Sequence, residues 1–318
     1  MSAHAFIFPG QGSQFVGMGH ALREAFPAAR EVFEEVDDGL SQKLSRLIFE
    51  GPAEELMLTE NAQPALLAVS IATLRVLERD AGFRMREKAA AVAGHSLGEY
   101  SALVAADSLA LAEAARLLRQ RGEAMQRAVP PGEGAMAALL GVELEAAREI
   151  CIAARPGPNG PEIVEPANDT GSGQDVNSGS RTAVERAINI AGQRGVKRAM
   201  MLAVSAPFHC ALMQPAADVM AEALGKVAIA APSVPVIANV SASRIVGPGE
   251  IRDLLVRQIT GLVRWRESVI AIAEMGVASF VELGAGKVLT GLVRRIVPDA
   301  EARAVGTPAE IESLVKAL

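Results

Sequence analysis

Cysteine is nearly absent from this chain. Its two cysteines, Cys151 and Cys210, cannot build a disulfide framework, and no C-x-x-C pair is present to hold zinc. Aromatic residues make up 3% of the 318 positions, too few for a base-stacking platform. Positive charge is short as well: 31 Lys and Arg against 37 Asp and Glu give a net charge of −6. That balance argues against a general nucleic-acid binder, whose affinity rests on clustered Lys and Arg neutralising phosphates. The longest strongly apolar run, over 64–77, is broken by Arg75 and is too short to span a bilayer. The first eight residues lack the basic flank and apolar stretch of a signal peptide. A protein of the cytoplasm with no membrane or nucleic-acid partner fits these absences. Histidine is scarce too, with only His4, His20, His95 and His209 to search for a catalytic base.

Apolar side chain, in contrast, is plentiful. Half the residues are hydrophobic and 21% are charged, enough for a large core. At about 150 residues per domain, the length suggests two domains, or one interrupted by an insertion. Short apolar strands are expected over 3–8, 89–93, 234–238 and 278–283, with helices over 99–106 and 109–127. Strands alternating with helices imply an α/β domain with a mainly parallel sheet. After Val129-Pro130-Pro131-Gly132 the character changes. Strands over 135–140, 162–168, 174–178 and 198–202, with helices over 143–154 and 181–194, give the order β-α-β-β-α-β of a ferredoxin-like unit. The expected organisation is a large α/β domain from 1–130 and 204–318, carrying a small inserted domain over 131–203.

Gly94-His95-Ser96-Leu97-Gly98 matches G-x-S-x-G between an apolar strand and a helix. Small residues permit a turn tight enough to leave the serine hydroxyl exposed, with the Leu97 N–H as one oxyanion donor. The same turn can also serve plain strand–helix packing. His209, after Ser205-Ala206-Pro207-Phe208, is the best base, because the side chain of His95 should point away from that of its neighbour Ser96. Asp107, Asp169 and Asp175 could complete a triad, although none stands at an obvious strand end. A Ser–His dyad oriented by a backbone carbonyl is as plausible. Arg121 falls on the apolar stripe of its helix with Leu111, Ala114, Leu118 and Met125. A buried guanidinium needs an anionic partner, either an internal Asp or Glu or a substrate carboxylate held by two parallel hydrogen bonds.

Other motifs fail. Gly10-Gln11-Gly12 is followed by Phe15 where a dinucleotide fingerprint needs its third glycine. Gly284-Ala285-Gly286-Lys287 has Val281 and Val288 at positions a phosphate loop requires for Gly and Ser/Thr. Cys210 reads as a small buried hydrophobe rather than a thiolate nucleophile. No cluster has metal-ligand spacing.

These residues together resemble the malonyl-CoA:acyl-carrier-protein transacylases of fatty-acid synthesis. The matching pieces are Phe8-Pro-Gly-Gln-Gly-Ser-Gln14, Gln63-Pro-Ala65, Gly94-His-Ser-Leu-Gly-Glu-Tyr100, Arg121-Gly-Glu-Ala-Met-Gln126, Val204-Ser-Ala-Pro-Phe-His209, Gln258, Val263-Arg-Trp265 and Val281-Glu-Leu-Gly284. The resemblance implies a hydrolase-like α/β domain with a ferredoxin-like insertion. It also implies Ser96 as the acylated nucleophile, His209 as base and then acid, and Arg121 as the grip on the malonyl carboxylate. The N–H groups of Gln11 and Leu97 would form the oxyanion hole, and the Gln258 carbonyl would orient the histidine. Malonyl-CoA and holo acyl carrier protein would be the substrates, no cofactor would be needed, and a monomer is expected. Phe208 resembles malonyl-type rather than methylmalonyl-type members. Thr170 and Ser172 depart from the family loop Asn-x-Asn-x-Pro-Gly-Gln, Ala285 stands where a proline is common, and Cys210 stands where Ser or Thr is usual. The alternative is a serine esterase or thioesterase with water as acceptor, which offers no reason for Arg121. An inactive scaffold is disfavoured by the intact Ser96 and His209.

Overall fold

The computed structural model describes residues 4–171 and 173–317. The expected strand residue Ala3 and the loop residue Ser172 lie outside the described residues. Among the described residues, eleven strands follow in chain order: β1 His4–Phe8, β2 Ala89–Gly94, β3 Gly134–Leu140, β4 Pro156–Gly157, β5 Gly160–Pro161, β6 Val164–Asp169, β7 Gln174–Ser180, β8 Arg198–Met201, β9 Val236–Ile237, β10 Ser279–Leu283 and β11 Glu301–Val305.

The larger sheet has the order β11-β10-β1-β2-β9, and every neighbouring pair is parallel. A parallel sheet is covered on both faces, and the alternation in β1 shows how. Phe6 and Phe8 enter one core with Val92, whereas Ala5 and Ile7 enter a second core with Ala91, Ala93 and Trp265. The helix Thr59–Asp80 lies in the first core with nearly every side chain over 61–77 buried. An all-round apolar helix of this kind is an interior element. Among the described residues, no helix is long and apolar enough to cross a membrane.

A second, antiparallel sheet has the order β6-β7-β3-β8. Its chain order is β3, the helix Leu144–Ala154, β6, β7, the helix Arg181–Gln193 and β8, the split arrangement that the sequence implied. One face of β3, carrying Ala135, Ala137 and Leu139, packs on these two helices; the other, Met136 and Ala138, joins the core of the larger sheet. The strand expected over 234–238 contracts to Val236–Ile237, although Val234 and Ala238 remain buried. The edge strand β11 and the short β4–β5 pair were not expected. An edge strand reading Glu-Ala-Arg-Ala-Val carries too few apolar residues for its pattern to stand out.

Asp175 on β7 makes the stability of the fold depend on pH. Asp175 and Asn177 pair with Leu139 and Ala137 and therefore share the helix-facing side. Asp175 is 1% exposed with neither carboxylate oxygen hydrogen-bonded, and burial pushes its carboxyl up to about 8. The unfolded chain ionises this group near pH 4. The folded state therefore binds the extra proton from there to about pH 8, and stability falls as pH rises through that window. Asp175→Asn, neutral throughout, should therefore stabilise the fold more at high pH, by about 4 kcal/mol more at pH 9 than at pH 5 in urea unfolding. An equal effect at both pH values would contradict this account.

Candidate active site

The G-x-S-x-G segment closes the turn between β2 and the helix Gly98–Ala105. A Cβ on Gly94 would lie 1.9 Å from the Gly98 carbonyl oxygen, and one on Gly98 would lie 2.3 Å from that of Phe8. Only glycine fits either place. Ser96 adopts φ +53°, a left-handed conformation that a side chain tolerates at some strain. The backbone N–H of Ser96 donates to Asn239 Oδ1 at 2.7 Å, which anchors the turn. The hydroxyl faces a cleft of about 330 Å³ between the two sheets, bounded by Gln11 and Leu97 on one side and Met136 and Asn168 on the other.

His209 meets the serine across this cleft. Ser96 Oγ is 2.8 Å from His209 Nε2, and His209 Nδ1 is 2.8 Å from the Gln258 backbone oxygen. A carbonyl can only accept, so Nδ1 carries the hydrogen and Nε2 offers its lone pair to the serine hydroxyl. Burial, reinforced by the positive charge of Arg121, pushes the imidazole down to about 3, while the Gln258 carbonyl opposes the shift. The ring is therefore neutral at physiological pH, with its Nε2 lone pair free to face the serine hydroxyl. None of the three acids weighed from the sequence reaches it. Asp107 pairs with Arg86 at 3.0 Å, Asp169 pairs with Arg266 at 2.9 Å, and Asp175 faces the helices of the small sheet. The geometry is a dyad completed by a backbone carbonyl. His95 instead sets its ring 5.6 Å from that of Trp265. Cys210 is fully buried, donates to the Pro207 oxygen, and has its thiol pushed up to about 11.

Arg121, on the helix Leu111–Arg127, is 1% exposed and reaches the same cleft. Nη1 donates to Gln63 Oε1 at 2.7 Å; Nη2 donates to Gln258 Oε1 at 3.0 Å and to Ser96 Oγ at 3.1 Å. Its guanidinium carbon lies 6.0 Å from the centroid of the buried Tyr100 ring, and Nε has no partner. All these acceptors are neutral, and Arg121 forms no ion pair with Asp or Glu among the described residues. Of the two partners the sequence allowed, the internal acid is missing. A buried cation beside the Ser96 hydroxyl, held only by neutral groups, is suited to receive an anion from the cleft.

The acyl transferase domain family matches residues 5–309. Over 318 residues the chain is 47% identical to the malonyl CoA-acyl carrier protein transacylase of Bacillus subtilis, covering 100% of this chain and 98% of that one. It superposes on the acyl-carrier-protein-S-malonyltransferase of Bartonella henselae with a TM-score of 0.95, at 56% identity and 99% coverage of both chains. A malonyl-transacylase solved in complex with its type II PKS acyl-carrier protein gives a TM-score of 0.95 at 43% identity, covering 100% of each chain. The chain belongs to the malonyl-CoA:acyl-carrier-protein transacylase family.

In this family member, the N–H groups of Gln11 and Leu97 border the cleft and donate to no protein acceptor among the described residues. The Gln258 carbonyl, which the resemblance assigns to orienting the histidine, lies against His209 Nδ1; the residue is wholly buried and does not line the cleft, so it does not bind substrate directly and reaches both His209 and Arg121 from behind. Two buried residues to which the motifs assign no role complete the site. Asn239 holds the Ser96 N–H and donates to the Gly94 oxygen at 2.7 Å. Glu99 accepts from the Asn239 N–H at 3.0 Å and from Gln258 Nε2 at 2.8 Å. A polar residue directly after the apolar strand Val236–Ile237 and Ala238 was the signal available for Asn239. Gln63, within the Gln63-Pro-Ala65 motif, accepts from Arg121 Nη1 and shares its hold on the guanidinium with Gln258. In the loop that departs from the family pattern, Thr170 Oγ1 donates to the Gln174 oxygen at 2.8 Å, while Asn168 Oδ1 is buried without a partner.

Proposed function

We propose that this chain transfers a malonyl group from malonyl-CoA to the phosphopantetheine thiol of acyl carrier protein through a malonyl ester on Ser96. The observation that carries the reading is Arg121, buried and unpaired with any acid, 3.1 Å from the nucleophilic oxygen. Ser96 Oγ attacks the thioester carbon as His209 Nε2 takes its proton. The carbonyl oxygen becomes an oxyanion held by the N–H groups of Gln11 and Leu97, each donor worth about 2.7–4 kcal/mol. As the carbonyl re-forms, the C–S bond breaks and His209 returns the proton to the CoA sulfur. The carrier thiol then attacks the ester, His209 takes the thiol proton and passes it to Ser96 Oγ, and the cycle is ping-pong. The protein's own residues supply this chemistry without a cofactor, and we assign the chain to the cytoplasm as a monomer. The small unit over 131–203 supplies the far wall of the cleft to the catalytic unit of 1–130 and 204–318.

The test is the intact mass after brief incubation with malonyl-CoA, beside acetyl-CoA and a Ser96→Ala control. One malonyl adduct on the wild type, stable in buffer and discharged by holo carrier protein, is the expected result. An adduct that water clears at the same rate without the carrier would instead make the chain a hydrolase.

The carrier must reach the cleft mouth. Arg194 is engaged by Glu149 at 3.3 Å, and Arg294 donates to the Ala302 oxygen at 2.7 Å. Lys197 and Arg198 are exposed just before cleft-lining Leu202. Lys287, also exposed, follows Gly286, where a Cβ would lie 3.4 Å from Ser13 beside the cleft-lining loop. We propose that these three meet acidic side chains of the carrier. Reversing their charge should raise the Michaelis constant for the carrier several-fold at low salt, and less at high salt, with that for malonyl-CoA unchanged. An unchanged carrier constant at low salt would move the docking site elsewhere.

A further inference from the structure

Glu99 is a buried titratable group with no part in the transfer steps. It is 1% exposed, on the first turn of the helix that follows the nucleophile. Its Oε2 takes both hydrogen bonds, from the Asn239 N–H and Gln258 Nε2, while Oε1 has none. Gln258 is the residue that the two working halves of the site share. Its backbone oxygen holds His209, and its amide oxygen holds Arg121.

A carboxamide can be placed two ways, with oxygen and nitrogen exchanged, and its neighbours decide between them. Here Nε2 faces oxygen acceptors: Glu99 Oε2 at 2.8 Å, the Ser96 oxygen at 3.0 Å and Asn239 Oδ1 at 3.4 Å. Only in this orientation does Oε1 face the guanidinium. The reverse would set an NH2 group against a cation and an oxygen against a carboxyl. Glu99 makes the shortest of these contacts and also restrains Asn239 through its backbone N–H.

We propose that Glu99 is a positioning residue that locks the Gln258 amide, so that Arg121 is held beside Ser96 Oγ in the pose that receives the donor's carboxylate. The inference rests on the transacylase reading above. Because burial pushes the Glu99 carboxyl up to about 7, the site tolerates its neutral form, and a neutral oxygen acceptor is enough. Glu99→Gln keeps such an acceptor; Glu99→Leu removes it at similar volume.

Glu99→Leu should lower kcat/KM for malonyl-CoA by about tenfold to a hundredfold, the size of a hydrogen bond to a charged group, chiefly through KM. Acetyl-CoA, which does not use the clamp, should lose several-fold less, and Glu99→Gln should recover most of the malonyl activity. The double variant with Gln258→Leu should be little worse than Gln258→Leu alone, since both remove one linkage. Independently of turnover, the Arg121 guanidinium should give resolved, slowly rotating nitrogen signals by NMR in the wild type and Glu99→Gln. Those signals should average in Glu99→Leu. Equal loss with both donors, or guanidinium signals untouched by Glu99→Leu, would overturn the proposal. A wild type that forms no malonyl adduct would instead overturn the transfer reading, and the guanidinium signals would still decide the positioning role.

Discussion

Replacing His209 with alanine should slow acylation of Ser96 by on the order of a millionfold, the loss seen when a serine hydrolase is deprived of its base. The reason is geometric. Among the described residues, Nε2 is the basic atom bonded to the hydroxyl, at 2.8 Å, and Arg121, which also bonds Oγ, is a donor that cannot accept a proton. Single-turnover mass spectrometry with malonyl-CoA measures this directly, and a loss below about a hundredfold would mean that another group takes the proton. The pH profile is a second readout. With the imidazole held at about 3, the acid limb of wild-type acylation should lie well below the ordinary histidine value of 6.5. The same depression bears on stability. Between pH 6.5 and about 3 the unfolded histidine binds a proton that the folded one refuses, so stability falls as pH drops through that window.

Arg121→Ala should erase the preference for malonyl over acetyl donors. A malonyl carboxylate entering the cleft without its guanidinium is a buried charge without a partner. That costs about 2–5 kcal/mol, or about 30- to several-thousand-fold in kcat/KM for malonyl-CoA. Acetyl transfer should survive, because the dyad and the two free N–H groups remain. Parallel kcat/KM measurements with the two donors check this, and an equal fall in both would make Arg121 structural. The substitution should also shift the acid limb. The guanidinium charge helps hold His209 low, so its removal raises the histidine pKa and moves the limb to higher pH.

Much of this protein was legible locally. The Gly94–Gly98 pentapeptide marked the tight turn that presents Ser96, because no residue but glycine fits where a Cβ would meet backbone at 1.9 and 2.3 Å. Helical periodicity placed Arg121 in an apolar stripe, and the scarcity of histidine singled out His209. Strand and helix order implied both sheets, because apolar alternation is written over a few consecutive residues. Tertiary structure decided what those residues touch. Whether Arg121 meets an internal acid or waits for a substrate depended on Gln63 and Gln258, 58 and 137 positions away along the chain. The choice of a backbone carbonyl over an aspartate for His209, and the anchoring of Ser96 by Asn239 across 143 positions, have no local signature either. Hydrogen bonds between remote residues leave no period in a sequence. They exist only after the parallel sheet has brought the ends of β2 and β9 side by side and the helices behind them have excluded water.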